Sequence, residues 1–155
     1  MSGRFMEIAV EEARKGIRNN EGGPFGAVIV KDGKIISRGH NKVLSTNDPS
    51  AHAEIVAIRE ASSILDTFDL SGCELYATTM PCPMCLSAIC WAHIGKIYYG
   101  TSTEDVASIG FDDGKIYEIL RKGASASVLE KSNIECEGCR KLLVEWEKKP
   151  DKIMY

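Results

Sequence analysis

Between Arg4 and Ile17 the apolar residues Phe5, Ile8, Ala9, Ala13 and Ile17 recur at helical spacing, and Gly16 with the adjoining "NNEGGP" marks the helix end. In "FGAVIVKDGKIISRGHN" two apolar runs flank "KDGK", whose Asp-Gly is a hairpin-turn signal. "KVLSTNDPS" then reads as a loop into a second helix, "AHAEIVAIREASSIL", with Ile55, Ile58 and Leu65 on its apolar face and Pro49 and Ser50 at its start. "CELYATT" predicts a buried strand, and "PCPMCLSAICWAHI" predicts a helix that tolerates Pro83 in its first turn. "KIYYG" predicts a short strand. Residues 102–122 predict one or two helices around "GFDDGKIYEIL", "SASVLE" a further strand, and "CEGCRKLLVEWEKK" a last helix with Leu142, Leu143 and Trp146 on one side. "KGASAS", residues 122–127, reads as a hinge or a loop.

This alternation predicts an α/β fold, an α-β-α three-layer sandwich in which a mixed five-stranded sheet carries helices on both faces. A chain of 155 residues makes one domain and is long enough to fold around its own core. The formal net charge of -3 argues against gripping nucleic acid as the main task, which would favour a basic face. The start, "MSGRFMEIAVEEARKG", is charged and amphipathic, unlike an export signal, and no apolar run is long enough to span a membrane. A cytoplasmic location is therefore expected. In that reducing compartment, six cysteines point to metal or catalytic roles before disulfides.

Cys82 and Cys85 change the picture most. They lie three apart, Pro81 precedes them, and both sulfurs fall at a helix start, where unpaired amides and the helix dipole favour thiolate. Two thiolates leave a zinc site incomplete, because a catalytic zinc takes three protein ligands and keeps a position for water. The third ligand is sought in "AHAE", at His52, with Glu54 two residues on. His-x-Glu followed by Pro-Cys-x-x-Cys is the signature of zinc nucleobase deaminases, and it stands here as His52-Ala53-Glu54 and Pro81-Cys82-Pro83-Met84-Cys85. The chemistry suits those residue types. Zinc lowers the pKa of a bound water to about 7, and Glu54, which is not a ligand, moves its proton to the ring nitrogen and the departing ammonia.

With these motifs the chain resembles the cytidine-deaminase-like superfamily, and within it the small bacterial guanine deaminases. The matching pieces are "GGPFGAVIVKDG", "HN" at 40–41, "NDPSAHAEIVAIREA", "PCPMCLSAICWA" and "GFDDGKIY". The resemblance implies one Zn2+ per chain on His52, Cys82 and Cys85, and hydrolytic deamination of guanine to xanthine and ammonia. It implies that Asn41 reads the edge of the base. Asp113 would bind the guanine edge and assist proton transfer. Ala53, Phe25 and Trp91 would help form the pocket, and Tyr155 would close it. It also implies a homodimer, with residues 122–155 as a segment that is exchanged between subunits in some members. Met80 departs from the pattern, since the family usually has Glu before Pro-Cys. Guanosine, cytosine and, less favoured by the acidic charge, adenosine in tRNA therefore stand as alternative substrates.

Blander readings compete at several positions. Cys136 and Cys139 form a second CxxC that could complete a four-cysteine zinc site, but that arrangement would leave His52 and Glu54 unexplained. Both read better as incidental on the last helix, while Cys73 and Cys90 read as core. His40 and His93 read as structural or pocket-lining. A redox pair at Cys82/Cys85, or a base-binding or structural-zinc module without turnover, are the readings from other functional classes. A reversible disulfide without metal marks the first and a closed zinc site the second.

Overall fold

The computed structural model describes residues 2–122, 132–134 and 136–154. The chain divides into two compact units, Met1–Tyr117 and Glu118–Tyr155. The first unit carries the sheet. Its elements are α1 (Ser2–Arg18), β1 (Gly26–Lys31), β2 (Lys34–His40), α2 (Val43–Thr46), α3 (Ala53–Leu65), β3 (Cys73–Thr79), α4 (Pro83–Trp91), β4 (Lys96–Thr101) and α5 (Thr103–Ser108). The division falls inside α6 (Gly114–Lys122), and the second unit holds α7 (Glu137–Lys148).

The "KDGK" hairpin forms as expected. Asp32 and Gly33 both adopt positive φ, at 50° and 72°, so the turn matches the right-handed twist of its strands. β1 pairs antiparallel with β2 and β3, and β3 pairs parallel with β4, giving a mixed sheet in the order β2-β1-β3-β4. A parallel pair needs a crossover, and α4 supplies it. The described residues form four strands. The fifth, expected over "SASVLE", and nearly all of the hinge "KGASAS" lie outside the described residues.

Alternate side chains of the sheet face opposite layers. Ala27, Ile29, Leu75 and Ala77 pack against Ala53, Ala57 and Ala61 of α3 and Ile89 of α4. Val28, Val30 and Tyr76 pack against Ala9, Phe5 and Met6 of α1. Small residues let α3 ride close to β2. A Cβ on Gly39 would lie 2.4 Å from the Ala53 carbonyl oxygen, and the buried Ser37 hydroxyl donates to the Ala57 carbonyl at 2.7 Å. That close seat sets the first turn of α3 beside the end of β2.

Three expectations are corrected. The stretch before the second helix is not all loop, because residues 43–46 form α2. The helix itself starts at Ala53, with His52 as N-cap, and not at Pro49–Ser50. The reason is a local turn in which Asp48 accepts from the Ser50 amide at 2.8 Å and from the Ser50 hydroxyl at 2.6 Å. Cys90 is exposed, not core: Ile89 takes the buried side of α4 and the next residue turns outward. Among the described residues no helix is long and apolar enough to cross a membrane.

Candidate active site

β3 and β4 end side by side at Thr79 and Thr101, and the Met80 amide donates to the Thr101 carbonyl at 2.8 Å. The chain then passes through Pro81 to Cys82, which is the N-cap of α4, with Pro83 in the first turn. Across the crevice His52 caps α3. Two helix starts thus face each other beyond the carboxyl ends of the strands, the usual place for a ligand in such sheets.

His52 Nδ1 lies 3.5 Å from Cys82 Sγ and 3.6 Å from Cys85 Sγ, and all three ligand atoms fall within 4.8 Å of one another. A tetrahedral zinc with Zn–N near 2.0 Å and Zn–S near 2.3 Å calls for an N···S spacing of about 3.5 Å. The donor set and its spacing therefore fit zinc. Among the described residues this is the group of His, Cys, Asp and Glu side chains suited to a metal, and Cys136 and Cys139 do not belong to it.

The electrostatics suit a cation. Cys82 is pulled down to about 4, first by a hydrogen bond from the Cys85 thiol and then by His52 and the Cys85 amide, against the cost of its burial. Cys85 is pushed up, by its bond to Cys82 and by burial beside Glu54. His52 is raised by its bond to the Cys82 sulfur. A cation would take these ligands in their deprotonated forms, so its binding is coupled to proton release.

Glu54 is 6% exposed, yet it lines the cavity in front of this cluster. Burial raises its carboxyl pKa, and the negative charge of Cys82 adds to the effect. Asp113 lines the cavity from the segment between α5 and α6 and is raised likewise, first by burial and then by Cys82. The cavity measures about 450 Å³. Asn41 is buried on its wall, and its Oδ1 accepts from the Val43 amide at 3.1 Å, which fixes the side-chain amide. Phe25 stands edge-on to Phe111, with ring centres 5.0 Å apart at 86°.

Of the residues singled out in the sequence, His52, Glu54, Cys82, Phe25, Asn41 and Asp113 line this one cavity, and Cys85 meets it through the metal cluster. Ala53 is buried and Trp91 is 64% exposed, and neither lines the cavity. Tyr155 lies outside the described residues. Leu44, Val106 and Phe111 also wall the cavity, and none of them is among the residues that mark the site in the sequence. "GFDD" held a signal for Phe111 in the aromatic next to the acidic pair, whereas nothing local marked Val106.

The family model described as the cytidine and deoxycytidylate deaminase zinc-binding region matches residues 2–101. The chain belongs to this deaminase family. It is an aminohydrolase whose His52, Cys82 and Cys85 form a site for one zinc ion. The guanine deaminase of Bacillus subtilis (strain 168) is 49% identical over 120 residues, 77% of each chain. A tRNA-specific adenosine deaminase of Aquifex aeolicus is 46% identical over 95 residues, 61% of this deaminase and 62% of that one. The X-ray structure of the guanine deaminase from Bacillus subtilis superposes with a TM-score of 0.94 at 40% identity, covering 99% of this chain and 98% of that one.

Proposed function

We propose that this deaminase converts guanine to xanthine and ammonia. The observation that carries the substrate is the likeness to the guanine deaminase of Bacillus subtilis over nearly the whole of both chains. The cavity supports it. Its walls are apolar at Phe25, Val43, Leu44, Val106 and Phe111, and its polar groups gather at Asn41, Glu54 and Asp113, a distribution that suits a planar base with a polar edge.

In this reading each side chain has one task. His52, Cys82 and Cys85 would hold zinc, which when bound supplies a water acidic enough to act as a nucleophile at neutral pH. Glu54 would carry the two protons given up by the attacking water, the first to the ring nitrogen and the second to the leaving amine. Burial raises its carboxyl pKa, the direction that favours holding a proton between the two transfers. Asn41 has its Oδ1 engaged by Val43, so Nδ2 is the donor that meets a ring acceptor. Asp113 takes the amino and imino hydrogens of the guanine edge. Phe25 covers a face of the ring, and Phe111 holds Phe25 in place. We further propose a cytoplasmic homodimer, in keeping with the exposed Met84 and Trp91 on α4.

The test is ammonia release from guanine, guanosine, cytosine, adenine and an adenosine-containing tRNA stem-loop. Guanine is expected to be turned over fastest. Silence on guanine with turnover of another amine would reassign the substrate and leave the zinc chemistry intact.

Gly22 offers a second test, of the base edge itself. A Cβ there would lie 2.0 Å from Asn41 Oδ1 and 2.5 Å from the Asn41 carbonyl oxygen. Gly22→Ala must therefore displace Asn41, and KM for the base is expected to rise by about tenfold or more. Steady-state kinetics with an unchanged KM would remove Asn41 from the base edge.

A further inference from the structure

His40 precedes Asn41 and is buried, yet it touches neither the cavity nor the metal cluster. Its ring sits between two carboxylates from different parts of the chain. Nε2 is 2.7 Å from Glu21 Oε2, and Nδ1 is 3.4 Å from Glu12 Oε2. Glu12 is itself buried on α1, and its other oxygen accepts from Lys15 at 3.1 Å. α1 makes room for the ring at Gly16, where a Cβ would lie 2.8 Å from His40 Cδ2. A ring protonated on Nε2 donates to Glu21, and a doubly protonated ring donates to both acids. The Glu21 carboxyl is held below its usual range, first of all by the bond from His40. Burial pushes Glu12 up, but the bonds from Lys15 and His40 outweigh it and hold this carboxyl low as well.

Glu21 is also a backbone junction. Its N–H donates to the Gly16 carbonyl at 2.9 Å, and its carbonyl accepts from Leu44 at 3.0 Å and Ser45 at 3.1 Å. The residues just after it, Gly22, Gly23 and Phe25, line the cavity, and the Phe25 carbonyl accepts from the Asn41 amide at 3.1 Å. The loop over residues 21–25 is therefore pinned to the end of β2 twice, by backbone at Phe25–Asn41 and by side chains at Glu21–His40.

We propose that His40 is a positioning residue for the base pocket: through Glu21 it ties the loop that carries Phe25 to the strand end that carries Asn41. The inference rests on the reading of this cavity as the base site, and it assigns His40 and Glu21 to substrate binding and not to the proton transfer. Cutting the tie loosens one wall of the pocket while Glu54 and the zinc ligands stay where they are. Substrate binding should weaken and the chemical step should stay unaltered.

The primary variant is Glu21→Leu, because Glu21 is partly exposed and its loss leaves the core intact. KM for the base is expected to rise about tenfold, with kcat within about twofold of the native enzyme and zinc still at one per chain. His40→Gln keeps an amide donor that can reach Glu21, and its KM is expected to stay within about threefold of native; His40→Leu has no donor and should match Glu21→Leu. Hydrogen exchange of the Leu44 and Ser45 amides, which end on the Glu21 carbonyl, gives a readout free of any substrate. It should quicken in Glu21→Leu and His40→Leu but not in His40→Gln. Unchanged KM and unchanged exchange overturn the proposal. A joint fall of kcat, zinc content and melting temperature overturns it too, since that marks a purely structural role. If the native enzyme is silent on guanine, the base reading fails by itself, and the exchange rates still decide whether the tie exists.

Discussion

Glu54→Gln is expected to lower kcat by about 10²- to 10⁴-fold while zinc stays at one per chain. The side chain sits two residues after the ligand His52, in the first turn of α3, and is almost fully buried. Gln fills the same space and keeps an acceptor oxygen, but it cannot take up a proton and hand it on. The variant thus removes the proposed proton carrier and little else. Ammonia release and metal analysis on one preparation make the test, and near-native turnover in Glu54→Gln would falsify the assigned role. A stability measurement has a definite sign as well. Burial raises the Glu54 pKa in the fold. A carboxyl with a raised folded pKa stabilises below its unfolded pKa of about 4.3, and that contribution is lost as pH rises through the folded value. The ionised group is therefore a cost near neutrality. Zinc-free Glu54→Gln is expected to melt a few degrees above the zinc-free native protein at pH 7–8, with the gap closing toward pH 4. Catalysis and stability would then pull on this residue in opposite directions, as expected of a group held in place for its chemistry.

The ligands and Glu54 were legible because their spacing is local. Cys82 and Cys85 share the start of α4, and His52 and Glu54 share the start of α3. The strand "GAVIVK" was equally plain as an apolar run beside the "KDGK" turn signal, and the structure divides its residues between the two layers. What stayed hidden came from longer range. Val106 reaches the cavity only because α5 folds back after β4, and no periodicity announces that. Cys90 and Ile89 look alike in an apolar run, and the direction of α4 alone separates them. Pro49 and Ser50 carried a helix-start signal that was real as turn chemistry, but Asp48 turned it into an Asx-type turn three residues before the helix. The union of His40 with Glu12 and Glu21 joins residues 28 and 19 apart in sequence, which composition and motif cannot show.

Cys82→Ser is expected to abolish zinc retention and bring ammonia release below detection. Serine offers a neutral hydroxyl where the native site offers a sulfur pulled down to about 4, so the variant loses both the soft ligand and the negative charge at the start of α4. Two remaining ligands do not hold a catalytic zinc. The loss should also be visible in stability. A ligand present at about 100 times its dissociation constant stabilises the fold by about 2.7 kcal/mol, which for a chain of this length is a shift of about 5–10 °C in Tm. A chelator should then lower the Tm of the native protein by that amount and leave Cys82→Ser unmoved. The pair Cys136→Ser and Cys139→Ser is the matching control. Those residues stand outside the metal cluster, so zinc, turnover and the chelator response should stay native. Zinc retained in Cys82→Ser but lost in the Cys136→Ser/Cys139→Ser protein would move the metal to the second CxxC and leave Glu54 with no acidified water to work on.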